Sequence, residues 1–301
     1  MSTPRAFLVG LIGSGIGPSL TPSLHMTEAA RHALSYVYRR IDLGDLGLQP
    51  DEIGEILTWA ERLGYDALNV THPCKQAVIP HLDELSPQAA GLGAVNTVLL
   101  RDGRRIGHNT DTSGFESAFR DEMGDEEPGA VALLGAGGAG SAVADALLRL
   151  GARRLDVIDV DHSRAERLAG ELARRHSTPV RARSADGIAD VLAEADGLAH
   201  CTPTGMREHP GLPVAADVLR PDLWVADIVY RPLETQLLRV ARERGCRTVP
   251  GGGMAVHQAA DAFELITGIR PDPARMRRDF TRLIEATGEA PSRPPQPATS
   301  W

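Results

Sequence analysis

The sequence predicts an α/β protein of two domains, one built on a mixed sheet and the other on a parallel sheet. Three observations carry this. The chain has 301 residues, and at roughly 100–200 residues per domain that is two units, each large enough to bury a core. From residue 130 onward, short apolar runs alternate with helical patterns, which indicates βαβ crossovers and a parallel sheet. Before that point the same alternation is interrupted by a hairpin signal, so the first sheet must be mixed. Composition agrees: 42% hydrophobic and 24% charged residues are the balance of a soluble globular protein. The net charge of −8 argues against a nucleic-acid footprint. No apolar run approaches the roughly 20 residues of a membrane span, and no secretory signal opens the chain, so a cytoplasmic location is expected. Cys74, Cys201 and Cys246 are too few and too scattered for a disulfide framework or a metal site.

In the first unit, Phe7 to Ile12 predicts a strand, Pro22 to Leu34 a helix and Tyr36 to Ile41 a second strand. Asp51 to Leu63 fits a helix and Ala67 to Val70 a third strand. Thr97 to Leu100 and Arg105 to His108 flank Asp102-Gly103, the dipeptide of a tight hairpin. A helix near Ser113 to Glu122 and an acidic connector, Asp121 to Gly129, lead to the second unit. There the strands are Ala130 to Leu134, Leu155 to Asp159, Val180 to Ala182, Gly197 to Cys201 and Trp224 to Ile228. The helices between and after them are Ala139 to Leu150, Arg164 to Arg175 and Leu233 to Arg244. Met254 to Thr267 and Asp272 to Thr287 read as two final helices, and Gly251-Gly-Gly253 as a hinge before them. The Pro- and Ser-rich segment 288–301 is expected to be a disordered tail. Arg174-Arg175 and Arg277-Arg278 are expected on solvated helix faces.

The strongest single motif is Gly135-Ala136-Gly137-Gly138-Ala139-Gly140, directly after one strand and opening a helix. The first glycine permits the turn, the second lets backbone approach a pyrophosphate, and the third lets helix and strand pack closely. The phosphates would sit on the helix N-terminal amides. Asp159 ends the next strand about 20 residues further on, where a carboxylate accepts hydrogen bonds from the adenosine ribose and repels a 2′-phosphate. NAD is therefore the expected cofactor. Arg164 could instead accommodate NADP, or pair with Asp161 along the helix.

Among 32 basic residues there is a single lysine, Lys75. A guanidinium keeps its proton near neutrality, whereas a partly desolvated ammonium can give one up. Lys75 stands in Asn69-Val-Thr71-His-Pro-Cys-Lys75; Ala94-Val-Asn96-Thr97 and Asn109-Thr-Asp111 follow at either end of the hairpin. A hairpin return of this length could bring Asp111 back towards Lys75. Cys74 reads as a buried small hydrophobe, and His72 and His257 as supporting polar residues.

These motifs, the glycine turn and a late Gln258, occurring in this order, resemble the shikimate/quinate dehydrogenase family. The resemblance runs from about Phe7 to about residue 287. It implies a split catalytic domain, 1–111 and 254–287, facing a Rossmann-type nucleotide-binding domain, 112–253, across a cleft. It implies a hydroxylated cyclic carboxylate as substrate, oxidised at its C3 alcohol. Lys75 and Asp111 would be the catalytic pair; Asn69, Thr71, Asn96 and Gln258 would hold ring hydroxyls, Ser19 and Thr21 the carboxylate, and Tyr230 would line the cleft. Ser19-Leu-Thr21 in place of Ser-x-Ser, and Asp159-Val-Asp161 in place of Asn-Arg-Thr, both resemble the NAD-dependent quinate/shikimate members. The expected assembly is a monomer or homodimer. Dehydrogenation of an amino-substituted analogue, a biosynthetic NADP-dependent activity and a non-catalytic nucleotide sensor are the other readings.

Overall fold

The computed structural model describes residues 5–286; the expected tail, 288–301, lies outside them. In chain order the elements are β1 (Ala6–Gly13), α1 (Thr21–Arg31), β2 (Ser35–Asp42), α2 (Leu43–Leu46), α3 (Ile53–Arg62), β3 (Ala67–Val70), α4 (Cys74–Ala77), β4 (Glu84–Leu85), α5 (Pro87–Leu92), β5 (Thr97–Arg101) and β6 (Arg104–His108). There follow α6 (Asp111–Met123), β7 (Ala130–Leu134), α7 (Gly138–Arg149), β8 (Arg154–Ile158), α8 (His162–Arg175), β9 (Val180–Arg183), α9 (Ile188–Ala193), β10 (Gly197–His200), β11 (Trp224–Asp227), α10 (Gln236–Glu243), β12 (Thr248–Pro250), α11 (Gly251–Thr267) and α12 (Pro273–Ala286).

Two six-stranded sheets result. The first has the order β2-β1-β3-β5-β6-β4; β1, β2 and β3 are parallel, and β5 and β6 form an antiparallel hairpin beside β3. The hairpin turns on Asp102 and Gly103, both with positive φ (52° and 72°), as the tight mirror-image turn demands. The second sheet, β12-β11-β10-β7-β8-β9, is parallel throughout. Its central strands β7, β10 and β11 are fully buried because helices cover both faces, whereas the edge strand β9 carries Arg181 and Arg183. Phe115 and Phe119 of α6, with Val143 and Leu147 of α7, form the core on one face; Leu192 of α9 and Leu237 of α10 serve the other. Strand order reverses between β7 and β10, which places the ligand crevice of such a sheet at their C-terminal ends.

Several expectations need correction. The helix expected from Asp51 begins with a 3-10 turn at Pro50–Glu52 and becomes α-helical at Ile53. The helix expected near Ser113 starts at Asp111. Gly251 to Gly253 are not a loose hinge: they form the buried first turn of α11. A Cβ on Gly251 would lie 2.5 Å from the Ile228 carbonyl, so close packing rather than freedom requires glycine there. β4 and β12 are too short to show a period and were not foreseen. Arg174, Arg175 and Arg278 are exposed, as expected of solvated helix faces; Arg175 also reaches buried Asp145 at 3.2 Å, and partly exposed Arg277 pairs with Glu122.

Candidate active site

Register assembles the site. Asn69 on β3 stands opposite Thr97 on β5, and Thr97 stands opposite His108 on β6. Segments 69–75, 94–97 and 107–111 thus meet at one end of the inner strands of the first sheet. Lys75 rides on α4, where its carbonyl accepts from Val95 N at 2.8 Å. Asp111 opens α6, its amide donating to Asn109 Oδ1 at 2.9 Å. Lys75 Nζ then lies 2.5 Å from Asp111 Oδ2, with the two side chains 19% and 8% exposed. The hairpin does bring the two together.

A buried hydrogen-bond chain orients this pair. Asn96 Nδ2 donates to Asp111 Oδ1 at 3.0 Å and to Thr110 Oγ1 at 2.9 Å. Asn96 Oδ1 accepts from Thr110 N and from Thr97 Oγ1, each at 3.0 Å, so this amide is saturated within the protein. Behind it, Asn69 Nδ2 donates to Thr97 Oγ1 at 2.9 Å, and Tyr38 OH donates to Asn69 Oδ1 at 2.5 Å. Burial holds the Tyr38 phenol well above its ordinary range, so it remains a donor. One carboxylate oxygen of Asp111 is thereby tied back and the other turned to Lys75.

The pair opens into a cavity of about 670 Å³ between the sheets, within the usual range for small-molecule sites. Ser19, Thr21, Asn69, Thr71, His72, Asn96, Tyr230 and Gln258 line it with Lys75 and Asp111. Ser19 and Thr21 mark the start of α1, whose N-cap, Leu20, has no side-chain cap. The helix dipole favours an anion there; Thr21 N donates to Ser19 Oγ at 3.4 Å and Pro22 has no N–H, so the two hydroxyls are the donors expected to meet it. Gln258 Nε2 donates back to Ala255 O at 3.0 Å. Tyr230 packs on Phe280 with ring centroids 5.9 Å apart, and its burial raises the phenol.

On the other wall stands the glycine turn. Gly135 has φ 99°, and a Cβ on Gly140 would lie 1.9 Å from Gly135 O. Those two glycines are required by the fold itself. Gly137 and Gly138 are not, for a Cβ on either meets nothing within 4 Å. The N-cap of α7 is Gly137 and lacks a side-chain cap, leaving amides and space for a phosphate group. Of the motif only Ala139 reaches the cavity; Ala136 donates its amide to Asp159 Oδ2 at 2.7 Å. The other oxygen of Asp159 accepts from Asp161 N at 2.9 Å. Arg164 is exposed and pairs with Asp161, Nε to Oδ2 3.4 Å. The residues present fit a dinucleotide.

Comparison with known proteins decides the family. The chain is 55% identical over 283 residues to a shikimate dehydrogenase (NADP(+)) of Streptomyces avermitilis, covering 93% of this chain and 97% of that one. The chain belongs to the shikimate dehydrogenase family. Family models for a shikimate dehydrogenase substrate binding domain and a shikimate 5'-dehydrogenase C-terminal domain match residues 11–98 and 251–278. A quinate/shikimate dehydrogenase (NAD(+)) of Corynebacterium glutamicum is 46% identical, covering 92% of this chain and 99% of that one. The structure of the quinate dehydrogenase from Corynebacterium glutamicum in complex with NAD superposes with a TM-score of 0.88 at 45% identity, over 92% of this chain and 99% of that one.

Within this family member, Cys74 is buried and its thiol is pushed up to about 11, as befits an inert hydrophobe. His257 pairs with Asp121 at 2.8 Å, away from the cavity. Sequence reasoning missed Tyr38, Thr97 and Thr110 as supports. Thr97 and Thr110 adjoin the motif asparagines and were findable there; Tyr38 is 31 residues from Asn69 and carried no signal. Met206, in the cavity wall, was missed as well.

Proposed function

We propose that this dehydrogenase of the shikimate/quinate kind is NAD-dependent and interconverts quinate, shikimate or both with their 3-dehydro ketones. The observation that carries the reading is the sheltered Lys75–Asp111 pair at the cavity wall. Oxidising a secondary alcohol requires a proton acceptor at the oxygen. The pair binds the C3 hydroxyl and takes up its proton as the C–H bond opens, with Asp111 aligned by Asn96. Asn69, Thr71 and Gln258 hold ring hydroxyls; Asn96, expected among them, has its amide fully used within the protein and acts through Asp111 instead. Ser19 and Thr21 hold the carboxylate at the start of α1, and Tyr230 closes the wall. A bound nicotinamide nucleotide supplies the hydride acceptor. The amides of 135–140 would hold its pyrophosphate, and Asp159 its adenosine ribose. In this reading 1–111 with 254–287 forms the substrate unit and 112–253 the nucleotide unit.

Two features support NAD over NADP. Asp159, just past β8, is where a carboxylate would meet the adenosine ribose and disfavour a 2′-phosphate, with Asp161 adding a second negative charge nearby, and Arg164 pairs with Asp161. The likeness to the NADP-named Streptomyces enzyme favours the second reading, NADP. Initial rates with quinate and shikimate, each offered NAD and NADP, decide between them. Strong reduction of NAD and weak reduction of NADP are expected; equal or better use of NADP overturns the cofactor assignment. Lys75→Ala should lower kcat by about 10²–10⁴-fold while nucleotide binding survives. Unchanged turnover would remove Lys75 from the mechanism.

A further inference from the structure

A buried polar cluster stands outside the pair just described. His200 ends β10 and Asp227 ends the neighbouring parallel strand β11, and the two are register partners. His200 is fully buried and Asp227 is 1% exposed. His200 Nδ1 lies 2.9 Å from Asp227 Oδ1, which also accepts from Val229 N at 3.1 Å. Asp227 Oδ2 accepts from Thr235 Oγ1 at 2.6 Å. On its far side His200 Nε2 lies 2.5 Å from Thr202 Oγ1.

The hydrogens follow from chemistry. An ionised carboxylate only accepts, so His200 Nδ1 carries the proton towards Asp227. The other ring nitrogen, Nε2, faces the Thr202 hydroxyl, which can serve as either donor or acceptor. The connection runs from Thr202 through His200 to Asp227, with Thr204 N donating to Thr202 Oγ1 at 3.3 Å. None of these groups takes part in the proton transfer assigned to Lys75 and Asp111.

What the cluster holds is the crevice wall. The chain leaving β10 passes against the glycine turn: a Cβ on Gly135 would lie 2.7 Å from Cys201 O and 3.1 Å from Thr202 Cγ2. It continues to Met206, in the cavity wall. The chain leaving β11, held through the Val229 amide, brings Ile228 and Tyr230 to the same wall. A single imidazole ties together the two segments that leave adjacent strands at the crevice.

We infer that His200 is a positioning residue: clamped between Asp227 and Thr202, it holds the 201–206 segment against the glycine turn and thereby sets the affinity for the nucleotide. The inference rests on the reading that the nucleotide lies at that turn. A merely structural tie between β10 and β11 would change stability without separating the two Michaelis constants.

Thr202→Val is isosteric and removes the bond to His200 Nε2 together with the longer one from Thr204 N. His200→Asn keeps a donor near Asp227 but is too short to reach Thr202. Each should raise the KM for the nucleotide about five- to tenfold and leave the KM for quinate or shikimate within about twofold. Thr202→Ser, which keeps the hydroxyl, should restore the wild-type value. The double variant should be no worse than His200→Asn alone, because both act on one connection. Variants whose nucleotide KM stays at the wild-type value, or whose two KM values rise together, would overturn the inference while wild-type turnover leaves the proposed function standing. Wild-type protein inactive with both nucleotides would overturn the proposed function and this inference with it.

Discussion

Replacing the glycines of the 135–140 turn one at a time separates what the fold needs from what a ligand needs. Gly137 has φ −80° and ψ −173°, extended backbone open to any residue. A Cβ there meets nothing within 4 Å. An N-cap alanine costs up to about 1 kcal/mol relative to a good cap, and the stiffer unfolded chain returns about 0.4–1 kcal/mol. The melting temperature of Gly137→Ala should therefore stay within about 3 °C of wild type. The nucleotide has no such freedom. Fitting a methyl group into a packed contact costs about 1–3 kcal/mol, a rise of roughly 5- to 150-fold in nucleotide KM. Gly140→Ala should do the opposite, because its Cβ falls 1.9 Å from the Gly135 carbonyl and the backbone must move, costing about 3 kcal/mol or more. Gly138→Ala, at the first position of α7 with open space around it, should stabilise by about 0.5–1 kcal/mol. Thermal unfolding and initial rates at varied nucleotide concentration measure all three. A Gly137→Ala enzyme with wild-type nucleotide KM would refute the argument that this space is reserved for a ligand.

Asp159→Asn removes the charge facing the ribose site, a change worth about 1–4 kcal/mol at close range; the ratio of kcat/KM for NADP to that for NAD should rise at least about fivefold, and an unmoved ratio would dismiss Asp159 as the selector. Tyr38→Phe deletes the 2.5 Å bond to Asn69 Oδ1, which should cost about 1–2 kcal/mol of stability and raise substrate KM, read by denaturant unfolding and steady-state rates. Glu116 is held above the usual carboxylate range by burial, against the pull of Arg149 whose Nε lies 4.0 Å from Oε1, and that oxygen accepts no hydrogen bond. A folded-state pKa raised above the unfolded one means that the protonated group's stability is fully present below the unfolded value of about 4.3 and is lost as pH rises from there through the raised folded value. Glu116→Gln should therefore raise the melting temperature at pH 7 and leave it unchanged near pH 3; an equal gain at both would assign the effect to packing instead.

The parts of this protein legible in the sequence are those whose physics is local. GAGGAG between a strand and a helix specifies its own turn, because Gly135 needs positive φ and Gly140 tolerates no Cβ. Asp102-Gly103 likewise encodes its hairpin. The lone lysine and three asparagines pointed to the site because few residue types can move a proton or hold a hydroxyl. The short strands β4 and β12 escaped because their pairing depends on neighbours supplied from elsewhere in the chain. Gly251 to Gly253 misled for the same reason: a glycine run reads as freedom until Ile228 and Ala118 close on it.

Tertiary structure alone decided how the site is tuned. That Asn96 spends its whole amide inside the protein, that Tyr38 stands behind Asn69, and that His200 meets Asp227 all follow from which strands lie side by side and in what register. A hydrogen bond depends on distance and direction between two groups, and a sequence specifies those only once the chain between them has folded. Residue chemistry therefore named the reaction's candidates, while strand register determined which of them touch.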